Sequence, residues 1–108
     1  MSNGFDAPDA DPVLELGVER CGAFTVVKVA GEIDLATRDQ LRECLAPLHG
    51  NVVVDLAAVT FLDSSGIATL LAQATRLAAE SATLRLRRPA PLVARVLRIA
   101  GLDELLET

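Results

Sequence analysis

Asp63-Ser64-Ser65-Gly66 is the stretch of this chain whose residue types best suit chemistry. An acid, two adjacent hydroxyls and a glycine stand just ahead of an apolar stripe. Ile67, Leu70, Leu71, Ala74, Leu77 and Ala78 recur at the i, i+3, i+4, i+7 spacing of an amphipathic helix. The first-turn amides of such a helix lack intrahelical partners and favour negative charge. The plain reading is an N-cap with an acid favouring the helix dipole, worth about 0.5–2 kcal/mol. One capping oxygen suffices, yet two serines occur. Gly66 in the first turn costs about 1 kcal/mol relative to alanine. A glycine there suits another surface that must approach the backbone closely.

Three chemistries compete for these hydroxyls. A hydrolytic serine needs a base, and His49 is the single histidine. Gly-x-Ser-x-Gly is absent, and His49 before Gly50 reads as a helix-end residue. A phosphate-cradling loop is absent too, since no Gly-x-x-x-x-Gly-Lys occurs. The third chemistry is phosphoacceptance, which adds about 1.5–2 negative charges. A helix N-terminus tolerates that charge. A partner packed over it does not, because burying an unpaired charge at an interface costs about 2–5 kcal/mol, roughly 30- to several-thousand-fold in affinity. The chain itself is therefore expected not to be an enzyme.

The elements that position this segment follow from periodicity. Residues 13–19 alternate, and 24–30 are β-branched and almost wholly apolar, which predicts an opening hairpin turned at Arg20-Cys21-Gly22. Gly31 ends the second strand. Thr37-x-x-Gln40 matches a capping box, and Leu41, Cys44, Leu45 and Leu48 follow at helical spacing, with Pro47 in the last turn. A short buried strand spans 51–56. The helix after Gly66 ends near Ser81, and residues 82–88 form a strand. Pro89-Ala90-Pro91 opens a helix with Leu92, Val93, Val96, Leu97 and Ala100 on its apolar face and Gly101 beyond its end. Residues 103–108 form a short final turn. Strands alternating with helices imply parallel crossovers and an α/β layer structure.

Composition narrows the classes. The 108 residues are 51 % hydrophobic and 23 % charged, with a formal net charge of -5, which suits one folded domain at 13–108. Residues 1–12, with Asp6, Asp9 and Asp11, read as a flexible acidic tail and carry no secretory pattern. No apolar run reaches the roughly 18 residues of a membrane span. Three phenylalanines and no Trp or Tyr leave few base-stacking platforms, so no direct nucleic-acid partner is expected. The simplest expectation is a soluble cytoplasmic protein. Two cysteines and one histidine are too few for a structural zinc site. Cys44 reads as a core thiol, and a Cys21–Cys44 bridge is geometrically conceivable. Arg85, Arg87, Arg88, Arg95 and Arg98 cluster without an intervening acid, either as a solvated face or as a patch for an acidic partner.

Two motifs together resemble the STAS-domain anti-sigma factor antagonists: Gly31-Glu32-Ile33-Asp34-Leu35-Ala36-Thr37 and Phe61-Leu62-Asp63-Ser64-Ser65-Gly66-Ile67, about 30 residues apart. The resemblance implies a small mixed sheet of four or five strands with an N-terminal hairpin, packed with three to four helices. It implies an anti-sigma factor serine kinase as partner, whose capture releases a sigma factor, and a serine phosphatase that resets the switch. Ser64 would be the phosphoacceptor. Asp63, Ser65 and Gly66 would flank it, with Gly66 admitting the partner's nucleotide edge. Glu32 and Asp34 would lie on a loop at the same sheet end and join the docking surface, although Asp34 equally suits a helix start. No cofactor is expected in this chain, since ATP and magnesium would belong to the kinase. Many relatives continue past the Gly-Leu that follows the third helix, here Gly101-Leu102, with a further strand and a closing helix, so this chain is expected to be either a compact member or one lacking that final helix. The alternatives are a STAS accessory subunit of a transporter or stress-signalling complex, and direct nucleotide binding by this chain.

Overall fold

Apolar residues at every second position and at every third or fourth position divide this chain into a sheet and the helices that cover it. A computed structural model describes residues 13–107, so the expected acidic tail at 1–12 lies outside the described residues. The order is β1 (Glu15–Cys21), β2 (Phe24–Ile33), α1 (Arg38–Leu45), β3 (Asn51–Leu62), α2 (Ser64–Ala79), β4 (Leu84–Arg87) and α3 (Pro91–Ile99), then a 3-10 turn at Asp103–Leu105. The sheet runs β1-β2-β3-β4. β1 pairs antiparallel with β2 through the turn at Gly22, whose φ of 65° suits glycine. β2–β3 and β3–β4 are parallel, as the crossover helices require. The position expected for a fifth strand is filled by one residue, Leu106, which bridges Leu86.

The longest strand departs most from its sequence pattern. β3 runs through Leu62 rather than stopping at Leu56. Its core-facing residues are Val52, Val54, Leu56, Val59 and Leu62, so the spacing changes from two to three. The register explains the change. Lys28 and Ala30 of β2 oppose Asp55 and Ala58, and Gly31 and Glu32 oppose Val59 and Phe61. β3 thus carries two extra residues, each of which resets the side-chain phase. β2 likewise continues past Gly31 to Ile33, with Gly31 at φ 119° beside the irregularity.

The helices close over a core that includes Val27, Ile33, Leu41, Val54, Leu70, Leu77, Leu86 and Leu97. α1 ends at Leu45, one turn short of the expected Leu48, and Pro47 lies past the C-cap Ala46. Proline has no amide proton to continue the ladder. Arg76 of α2 donates to the Leu45 carbonyl (3.1 Å), and Gln73 Oε1 accepts from its Nε (2.9 Å). α2 ends where the Ala82 amide donates to Leu77 around Ser81, whose φ is 63°. Both cysteines are free thiols, and burial pushes the Cys44 thiol above its ordinary value. No helix among the described residues is long and apolar enough to cross a membrane.

One charge is buried in the sheet. Asp55 of β3 is only 4 % exposed and is held by Arg88 and by the Ala57 amide (3.0 Å). Burial alone pushes its carboxyl up. The Arg88 contact, the Ala57 amide and the charges of Arg88 and Arg87 together outweigh burial and leave it below the ordinary value. Arg88→Met removes most of that compensation. The variant is expected to lose about 1–3 kcal/mol at pH 7. Its Asp55 pKa should rise above the unfolded value, so the deficit shrinks as pH falls toward that of protonated Asp55. Urea unfolding at pH 7 and pH 4 reads both effects.

Candidate functional site

β2 and β3 deliver two loops to one end of the sheet. Glu32 neighbours Phe61 across the strands, Ile33 neighbours Leu62, and the Asp63 amide donates to the Ile33 carbonyl (3.1 Å). The β2–α1 loop and the start of α2 are therefore fixed side by side.

Asp63 is the N-cap of α2, with extended backbone at ψ -173°. Its Oδ1 accepts from the Ser65 amide (2.9 Å), the Gly66 amide (3.2 Å) and the Ser65 hydroxyl (2.6 Å). The acid therefore supplies the cap that either serine could have supplied. The Ser65 hydroxyl bond is the chief cause that lowers the Asp63 carboxyl below its ordinary value. Burial opposes it, and the amides of Gly66, Ser65 and Leu35 reinforce it. The two serines are consequently unequal. Ser65 is half-buried with its proton committed to Asp63. Ser64 is exposed, and its hydroxyl takes no hydrogen bond among the described residues.

Gly66 is buried, and the close approach it permits is internal. A Cβ there would stand 2.5 Å from Ile33 Cγ2, 2.6 Å from Leu62 Cδ1 and 3.2 Å from the Ile33 carbonyl oxygen. The glycine therefore has an internal reason of its own, apart from any partner. The residue lets α2 start flush against the ends of β2 and β3.

The neighbouring loop is tied by its own acid. Asp34 Oδ1 accepts from the amides of Ala36 (3.0 Å) and Thr37 (3.1 Å). Buried Thr37 donates its hydroxyl to the Glu32 carbonyl (2.7 Å) and accepts from the Asp34 amide (3.0 Å). The capping box expected of Thr37 and Gln40 is not formed. Thr37 makes no side-chain cap bond to α1, and Gln40 Oε1 accepts instead from the Leu14 amide (2.8 Å). Asp34 thus shapes the loop before α1. Glu32 belongs to the end of β2 rather than to the loop, and its side chain is exposed beside Phe61. Two apolar side chains at this end were not singled out from sequence: Leu35, 67 % exposed, and Phe61, 48 % exposed. The signal available for them was an apolar residue inside each loop motif.

The remaining candidates lie elsewhere. His49 sits before β3, at the far end of a 12-residue strand from Ser64, and its Nδ1 meets Glu80 Oε1 at 2.9 Å. The strand alone spans about 3.3 Å per residue, which separates that imidazole from either serine. Among the described residues no group of three His, Cys, Asp or Glu side chains is placed to hold a metal. The arginine cluster is divided. Arg85 donates to the Glu104 and Leu106 carbonyls, Arg87 pairs with Glu107 (2.8 Å), and Arg88 pairs with Asp55.

The family model described as MlaB, STAS domain, matches residues 5–107. The chain belongs to the STAS domain family. It is 31 % identical over 87 residues to the anti-sigma-B factor antagonist of Staphylococcus epidermidis, covering 77 % of this chain and 81 % of that one. A crystal structure of an anti-sigma factor antagonist from Mycobacterium paratuberculosis superposes with a TM-score of 0.77 at 30 % identity, over 94 % of this chain and 87 % of that chain. The anti-sigma factor antagonist SpoIIAA in its unphosphorylated form shares the fold, with a TM-score of 0.76 at 22 % identity over 86 % of each chain.

Two outcomes test this geometry. Gly66→Ala should lower the free energy of unfolding by about 1–3 kcal/mol, the usual cost of overpacking a filled site, as read by denaturant titration. Asp63→Ala should cost about 1–2 kcal/mol at pH 7 through loss of the cap. Because the folded carboxyl titrates below the unfolded value of about 3.9, its contribution is present above that value and is lost as pH falls through the folded one. The gap between variant and parent should therefore narrow below about pH 4.

Proposed function

We propose that this chain is an anti-sigma factor antagonist whose partner is an anti-sigma factor serine kinase, and that phosphorylation of Ser64 ends their association. The observation that carries the reading is the inequality of the two serines. Ser64 presents an exposed, uncommitted hydroxyl at the mouth of the 16-residue α2, while Ser65 is tied to Asp63. The 31 % identity to a curated anti-sigma-B factor antagonist supports the same class.

In this reading Ser64 Oγ attacks the γ-phosphorus of ATP held with magnesium by the kinase. The hydroxyl proton passes to a base on the kinase, and ADP leaves. The phosphoserine dianion sits where helix amides and the dipole favour negative charge by about 0.3–1 kcal/mol, so the fold survives modification. The docked partner meets an unpaired dianion at its interface and is released. A serine phosphatase restores the hydroxyl. Glu32 and Phe61, paired across the strand ends, and exposed Leu35 lie at the same end of the sheet as Ser64 and supply the docking face. Asp63, Asp34 and Ser65 act by holding the two loops in register, and Gly66 acts by letting α2 start against them.

Phosphotransfer with a cognate kinase and radiolabelled ATP tests the site. Ser64→Ala should take up no label, and labelling of that variant would overturn the assignment. Ser64→Asp should weaken the kinase complex at least 30-fold in calorimetry, while its unfolding free energy stays within about 1 kcal/mol of the parent.

A further inference from the structure

α3 is apolar on two sides. Val93 and Leu97 are buried in the core, yet Leu92 is 74 % and Ile99 78 % exposed. The sequence pattern had placed Leu92 on the buried face. Instead, Leu92, Val96 and Ile99, at spacing i, i+4 and i+7, form a second stripe beside Phe61 and Thr60 of β3. Between them lies an open groove of about 360 Å³, in which Arg95 is the one charged lining residue. A surface helix needs one apolar stripe to join a core, and a second, contiguous one marks an interaction surface.

The charge on this face is as informative as the apolar area. Arg85, Arg87 and Arg88 are each consumed by internal partners. Arg95 and Arg98 of α3 have no hydrogen bond or ion pair among the described residues, and α3 itself contains no acid. The groove therefore offers apolar walls with uncompensated positive charge. Its Thr60-Phe61-Leu62 wall leads directly in sequence to Asp63 and Ser64 at the start of α2.

We infer that the groove between Phe61 and α3 receives an amphipathic acidic segment of the protein partner, whose apolar side chains enter between Phe61, Leu92 and Ile99 while its Asp or Glu residues meet Arg95 and Arg98. This rests on the docking reading of the Ser64 face and extends it. The partner would then contact both the Glu32 end of β2 and the basic α3, which fixes its orientation on the chain. Helix-in-groove recognition uses i, i+3, i+4 and i+7 anchors of this kind. The unpaired arginines would discriminate against a basic segment of the same shape.

The probe is a synthetic 16-residue helical peptide with leucines at i, i+4 and i+7 flanked by glutamates, and a second peptide with lysines in place of the glutamates. Each is titrated into the full chain and followed by backbone amide shifts. The glutamate peptide should bind saturably with shifts centred on Phe61, Leu92, Arg95 and Ile99, at least tenfold tighter than the lysine peptide. Arg95→Glu should reverse that preference, and Ile99→Asn should abolish binding with the fold retained. Equal binding of both peptides, no binding, or shifts centred elsewhere would overturn the inference. So would a dimer of the free chain in sedimentation equilibrium that Ile99→Asn disperses, or Ile99-dependent retention on phosphatidylglycerol vesicles. Ser64→Asp should bind the peptide as the parent does. Loss of peptide recognition in the parent thus counts against the groove, whereas phosphotransfer to Ser64→Ala counts against the Ser64 reading.

Discussion

The carboxylate of Asp63 joins the two loops on which everything at this end of the molecule depends. Its backbone amide bonds to the Ile33 carbonyl at the end of β2, and its Oδ1 gathers the first amides of α2. A helix N-terminus leaves four amides without intrahelical partners, and those nearest the sheet would otherwise be stranded against apolar side chains. By answering them with an acid, the chain frees a serine from capping. The Ser64 hydroxyl is available because its neighbour in sequence has already taken the structural duty.

Gly66 completes the arrangement from the opposite side. With no Cβ at this position, α2 begins in contact with Ile33 and Leu62, and both strand ends become its floor. Asp34 and Thr37 do for the adjoining loop what Asp63 does for the helix. The site is thus a pair of acid-organised turns on rigid strand ends. The backbone and carboxylate bonds that tie these turns to each other and to the strand ends fix the shape of the surface they present.

The fold was largely legible because its signals were periodic. The helical stripe from Ile67 to Leu77, the hairpin at Gly22 and the strand–helix alternation depend on local spacing. What escaped was non-local. The run from Ala57 to Thr60 has no period because two added residues shift the strand against β2, and no local pattern announces a shift that exists only relative to a neighbour. Thr37 and Gln40 have the spacing of a capping box, but tertiary partners, Glu32 and Leu14, claim both side chains. At the candidate site, the Asp-Ser-Ser-Gly motif marked the start of α2 and not the division of labour within it. Which oxygen caps, and what Gly66 makes room for, depend on atoms of β2 some 30 residues away in sequence.

The two rims of the sheet are finished differently. Along β4, Leu106 bridges Leu86, the Glu107 amide donates to the Leu86 carbonyl (2.8 Å), and Arg85 and Arg87 clasp the same returning segment. Along β1 no strand lies outside among the described residues, but Glu15, Glu19 and Arg20 stud the border with exposed charge. One margin is hemmed by backbone and the other is guarded by solvated ions, so neither invites a stray strand to extend the sheet. Exposed charge along an open edge is the device by which a half-apolar chain discourages pairing with another copy's edge.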